Sequence, residues 1–245
     1  MGSPGGGPGG SVGSGLVGPK PELARDALLI GLTFAAGVVD AVSYLGLGQI
    51  FTANMTGNVV FLALAVGHRS LLTALHSVAA LMGFCVGAVV AGQLLERPRP
   101  PGIWPGRATW VMCGTLVCMS AFAWIWAVVG GEPGATLLYV LIGLSSLGMG
   151  MQNAAARHLA VPGLTTTVIT TALTGFMVDL PALGMSGTAQ RRGGFAVIAL
   201  FSGATIGAAL VVYARPFAPL VTVVTVAVVT VTAYRVFGRV AKARP

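Results

Sequence analysis

The chain has 245 residues, 55% of them hydrophobic and only 8% charged. An ordinary soluble domain carries about 25% charged residues, so this composition cannot furnish a water-facing surface and excludes a soluble globular domain. The formal charge of +8 comes from Lys and Arg spread over short loops and both tails, a distribution that reports membrane topology rather than a nucleic-acid-binding face.

Residues 1–19 form a Gly/Ser/Pro tract without periodicity, expected to be a disordered tail. No basic stretch precedes an apolar core there, so a secretory signal is not expected, and residues 20–245 are expected to make a single polytopic helical domain. Apolar runs mark eight segments, at 27–47, 51–66, 71–95, 108–129, 136–156, 164–180, 195–213 and 218–237. Runs of this length predict an all-α integral membrane protein rather than a barrel. The second and sixth segments are short, rich in Thr and Gly, and suspect as full spans. Cys85, Cys113 and Cys118 all lie in apolar runs without metal-ligand spacing and read as small membrane-buried hydrophobes. Trp104 and Trp110 near the start of the fourth segment, and Trp124 and Trp126 near its end, suit interfacial belts.

Shifting the chain by 113 residues lays Asp40-Ala41 on Asn153-Ala154 and Thr52 on Thr165; seven further residues lay Gly83-x3-Gly87 on Gly203-x3-Gly207. The expected fold is therefore two structural repeats, about 27–130 and 136–237, inverted relative to each other. Each would hold three spanning helices plus one short polar, broken or re-entrant segment; the alternative is eight short spans. Eight spans starting from a cytoplasmic N-terminus leave Arg97, Arg99, Arg107, Arg157 and Arg215 outside. With re-entrant second and sixth segments only Arg69 and Arg215 remain there, and the positive-inside rule favours that arrangement, with both termini cytoplasmic. The paired glycines would let helices approach closely.

The stretch TFAAGVVDAVSYLGLGQIFTANMTGN, residues 33–58, sets a carboxylate (Asp40), a phenol (Tyr44), amides (Asn54, Asn58) and hydroxyls (Thr52, Thr56) within apolar sequence. Such groups are costly in hydrocarbon unless they face protein or water. The break at Gly46-Leu47-Gly48 predicts a helix that stops partway, as in the binding sites of secondary transporters. This stretch, with GMGMQNAAARHL at 148–159 and the threonine run after it, resembles the two signatures of the YoaK family of small bacterial multi-pass membrane proteins. The resemblance covers nearly everything but the glycine-rich tail. It implies a location in the bacterial cytoplasmic (cell inner) membrane and a transporter-like architecture, and supplies no substrate.

Asp40 and Tyr44, four apart, share a helix face that would form one polar pocket with the second segment. Asn54, Thr56 and Asn58 alternate, a spacing suited to broken or extended backbone. The second-half candidates are Gln152, Asn153, Arg157 and Thr170. Asn153 and Arg157 share a helix side, and Arg157 either snorkels to the cytoplasmic interface or pairs with an anion or with Asp40. Asp179, just before Leu180-Pro181, would cap that break or complete a proton relay. Each has a structural reading as well, an acid tying two helices or an amide bonding between them. His68 and His76 lack metal-site spacing. No hydrolase elbow, zinc-protease or phosphate-loop motif occurs, so no enzymatic activity, cofactor or metal is expected.

The expected function is a secondary transporter of a small polar solute, proton- or ion-coupled, with a site at the midplane between repeats. Asp40 would be the coupling or amine-binding group. The alternatives are a channel-like pore built on re-entrant half-helices and a non-transporting scaffold or sensor. Expected partners are the lipid bilayer, an unidentified small solute and, as a homo-oligomer, further copies of the chain; no nucleic acid is expected.

Overall fold

The computed structural model describes residues 21–96, 103–159 and 188–242, and among them every regular element is helical. The helices are α1 (Pro21–Gly46), α2 (Met55–Gly67), α3 (Leu71–Leu95), α4 (Gly106–Val128), α5 (Ala135–Leu159), α6 (Thr188–Tyr213) and α7 (Leu220–Lys242), with one 3-10 turn, Arg215–Phe217, before α7. Six of them, all but α2, are long and apolar enough to cross a membrane. Helices satisfy their backbone groups internally, which hydrocarbon demands. At 13 residues, α2 is only about 20 Å long, short of the roughly 30 Å of a hydrocarbon core. The tail at 1–19 and the sixth predicted segment, 164–180, lie outside the described residues.

Contacts between helix ends give the direction of each helix. Trp126, at the end of α4, donates its indole N–H to the Arg215 carbonyl after α6 at 2.7 Å, and Gly46, the last residue of α1, lies against the Trp126 ring. His76 in α3 meets Tyr139 of α5, ring centroids 5.3 Å apart, and sits beside Gly48. These contacts gather the C-terminal ends of α1, α4 and α6 with the N-terminal ends of α3, α5 and α7. At the opposite end Arg192 of α6 pairs with Asp26 of α1 at 2.6 Å, and Trp104 ahead of α4 stacks on Phe237 of α7 at 5.5 Å. The six long helices therefore alternate in direction. Arg25, Arg107, Arg157, Arg191, Arg192 and Arg235 belong to the second end, Arg69 and Arg215 to the first.

Two helix pairs approach at backbone distance. A Cβ on Gly37 of α1 would collide with the Leu200 carbonyl of α6, and one on Gly203 of α6 with the Phe34 carbonyl of α1. The α3–α5 pair repeats this, with Gly150 against the Phe84 carbonyl and Gly87 against the Leu147 carbonyl. Small residues are what allow such contact. The tryptophans divide differently from the interfacial reading. Trp110 and Trp124 are 75% and 73% exposed, but Trp104 and Trp126 are buried, because the stack on Phe237 and the bond to Arg215 draw them into the bundle.

Candidate functional site

Helix α1 stops because Gly48 and Gln49 both adopt left-handed backbone, with φ of 83° and 59°. Glycine takes that conformation without steric cost. The following residues run back along α1, where the carboxylate of Asp40 catches them. Its Oδ1 accepts the backbone N–H groups of Thr52, Ala53 and Asn54 at 3.1, 2.8 and 3.4 Å. These donors immediately precede α2 and would otherwise be orphaned in an apolar interior. Asp40 is 9% exposed, and the anchor gives one of its buried oxygens its hydrogen-bond donors.

Asn58 completes the turn. Its Oδ1 accepts the Phe51 N–H at 2.9 Å, and its amide nitrogen donates to the Phe51 carbonyl and to Met55 Sδ. The side chain is fully buried and its hydrogen-bonding capacity is spent on the turn, so it braces the site rather than facing a solute. Replacing Asn58 with leucine removes both bonds to the Phe51 peptide. It is expected to lower stability by about 1–3 kcal/mol, read as a fall in melting temperature in detergent; an unchanged melt would remove the bracing role. Thr52 is likewise buried, its hydroxyl accepting from Ser145 of α5 at 2.8 Å.

A cleft of about 380 Å³ lies against this turn, walled by Gly37, Asp40, Ala41, Tyr44 and Leu45 of α1, Phe51 and Asn54 of the turn, and Leu200, Ala204 and Ala208 of α6. The Tyr44 ring stacks on Phe51 with centroids 5.4 Å apart, and Phe61 of α2 backs both. The structure thus brings Asp40, Tyr44 and Asn54 together.

The remaining candidates lie elsewhere. Thr56 is exposed and outside the cleft wall. Gln152 is buried against α1, donating to the Leu32 carbonyl at 3.1 Å, and Asn153 donates to the Met149 carbonyl in its own helix at 2.9 Å. Arg157 is exposed near the end of α5, and no ion pair among the described residues joins it to Asp40. Its pairing with Asp40 is therefore not found, since the carboxylate is already held by backbone donors. Thr170 and Asp179 lie outside the described residues.

Sequence reasoning did not single out Phe51 or the α6 wall. The spacing Leu200, Ala204, Ala208, one position after Gly203 and Gly207, was the available signal for that wall, since small residues four apart share a helix face. Among the described residues no group of three His, Cys, Asp or Glu side chains is gathered as a metal site would need.

Over residues 28–233 the chain matches the family described as protein of unknown function (DUF1275). The UPF0700 transmembrane protein YoaK of Bacillus subtilis (strain 168) is 35% identical to it over 156 residues, 64% of this chain and 67% of that protein. No solved structure matches.

Proposed function

The chain belongs to the DUF1275 family of multi-pass membrane proteins, whose function is unknown, so kinship supplies no activity, and we propose from its cleft that it is a secondary transporter of a small polar solute. The observation that carries this is Asp40, an acid inside a spanning helix that holds the start of α2 with one oxygen while lining a solute-sized cleft with Tyr44 and Asn54. A solute that engages Asp40 draws on the same carboxylate that anchors the amides before α2, which links occupancy of the cleft to the position of α2. Proton or ion coupling would act on the same carboxylate. A channel whose half-helix turned its free amides toward permeating ions is less well supported, because Asp40 already occupies them.

The architecture we infer is a pair of inverted repeats. Asp40 lies six residues before the end of α1, about 9 Å below it, and α2 begins at that depth. Phe61 then returns to the level of Tyr44, their ring centroids 6.3 Å apart, so α2 goes back toward the side that α1 reached. This supports a re-entrant segment between spans. Three alternating spans on each side of the 128–135 turn support halves that are inverted. Gly37 and Gly150 are 113 residues apart, while their partners Phe84 and Leu200 are 116 apart. Gly87 therefore corresponds to Gly203, and the inserted length is three residues rather than the seven that align both glycine pairs in sequence. That Arg69 and Arg215 are alone among the described cations at the α1 C-terminal end supports reading that end as external and both termini as cytoplasmic, in an inner membrane.

The decisive experiment is uptake into proteoliposomes with an imposed proton gradient. Saturable accumulation that collapses with the gradient supports transport, whereas non-saturating flux favours a channel and no flux favours a scaffold or sensor. Topology is tested independently by single cysteines in a background lacking the native three. A cysteine at Arg69 is expected to react from outside and one at Arg235 from inside; cytoplasmic labelling at 69 would overturn the re-entrant arrangement.

A further inference from the structure

We propose that the cleft recognises an organic ammonium ion, a small amine carrying an apolar body. The inference rests on reading the cleft as a solute site and names the class of solute. Among the described residues Asp40 is the one acidic side chain lining it, and no basic one does. Two of the arginines nearest α6 are engaged elsewhere, Arg192 with Asp26 and Arg215 with Glu132, and Arg191, beside Arg192, does not line the cleft. An anion entering the cleft would meet a carboxylate without a compensating cation among the described lining residues, at an electrostatic cost.

Asp40 uses Oδ1 for its three backbone donors, and Oδ2 accepts no hydrogen bond among the described residues. One oxygen of a buried carboxylate is thus left for a donor from the cleft. Tyr44 and Phe51, stacked on each other, form an aromatic wall beside that carboxylate. Aromatic rings attract a desolvated ammonium through their quadrupole. Gly37, Ala41, Ala204 and Ala208, also in the lining, are small and apolar and leave room for a hydrocarbon body. A bare metal ion is poorly matched, because hard cations need several oxygen ligands and Asp40 is the single carboxylate among the described lining residues.

Three near-isosteric probes test the assignment on purified full-length protein in nanodiscs: 2-phenylethylamine, 2-phenylethanol and phenylacetate, each titrated by calorimetry and thermal shift. The amine is expected to bind saturably and raise the melting temperature, at least tenfold tighter than the alcohol, with the acid not binding. Tyr44→Leu, which keeps an apolar side chain and leaves the Asp40 anchor intact, is expected to weaken the amine about threefold to tenfold more than it weakens the alcohol. Asp40→Asn, checked for folding by size exclusion, is expected to erase the preference for the amine. Equal or tighter binding of the alcohol or the acid, or binding of none of the three, overturns the assignment. Counterflow in proteoliposomes separates the two readings. Amine binding without amine exchange keeps the ligand class and removes transport, whereas exchange of a neutral or anionic solute keeps transport and removes the ligand class.

Discussion

Replacing Asp40 with alanine is expected to cost the folded protein at least about 3 kcal/mol, a large part of the roughly 5–15 kcal/mol that holds a domain together. The side chain reaches twelve to fourteen residues along the chain to accept three backbone N–H groups. Hydrogen bonds to a charged acceptor contribute about 1.5–3 kcal/mol each, and buried donors left without an acceptor carry a penalty of about 1–3 kcal/mol. The three share one oxygen and are not additive, so the estimate stays at the lower bound. Asp40→Asn keeps a carbonyl oxygen where Oδ1 sits and is expected to lose only about 1–2 kcal/mol. Heating both variants in detergent and following the surviving monodisperse fraction checks the difference. The alanine protein should lose its folded fraction well below the wild type, with asparagine between. An alanine variant that melts with the wild type would mean that the turn before α2 is held by something other than this carboxylate. The split also matters for function, because asparagine keeps the anchor but lacks the charge, so any loss of amine binding there is not a loss of fold.

The sequence marks Asp40 as costly in hydrocarbon, and the glycines around Leu47 mark where α1 stops. What it does not disclose is the partner. Asp40 is satisfied by peptide N–H groups, which every non-proline residue carries and which leave no trace in a side-chain motif. For the same reason Asn58 reads as a ligand in the sequence and acts as a brace in the structure, since its partner is the Phe51 peptide. The length and hydropathy of the six long helices are legible because bilayer thickness imposes them. Which helix meets which is not. A glycine at four-residue spacing announces close approach without saying to whom, and the pairing of α1 with α6 and of α3 with α5 follows only from the backbone carbonyls each glycine faces. The cleft is legible in half, through Asp40, Tyr44 and Asn54; its α6 wall is marked only by the four-residue spacing of Leu200, Ala204 and Ala208, which shows a shared face without saying whether protein or lipid meets it.

Leucine at Gly37 and leucine at Gly150 are expected to have matched and severe effects, each at or beyond the upper end of the roughly 1–3 kcal/mol that overpacking usually costs. The obstacle in both cases is backbone rather than a side chain that can move aside. At Gly37 it is the Leu200 carbonyl and the Ala204 nitrogen; at Gly150, the Phe84 carbonyl and the Ala88 nitrogen. Accommodating a side chain requires α1 to separate from α6, or α5 from α3, and neither pair can part without exposing the buried faces behind it. Gly92 in α3 and Gly143 in α5 serve as controls in the partners of one pair, since a Cβ at either meets nothing within 4 Å. Alanine there is expected to be neutral or to gain about 0.5–1 kcal/mol from higher helix propensity. Folded yield and melting temperature of the four variants read the outcome. If Gly37→Leu and Gly150→Leu fall together while both controls hold, the two helix pairs carry equivalent interfaces, as halves related by internal symmetry require. If one of the leucine variants folds normally, the close approach in that pair is not essential, and the equivalence of the two halves loses its strongest physical support.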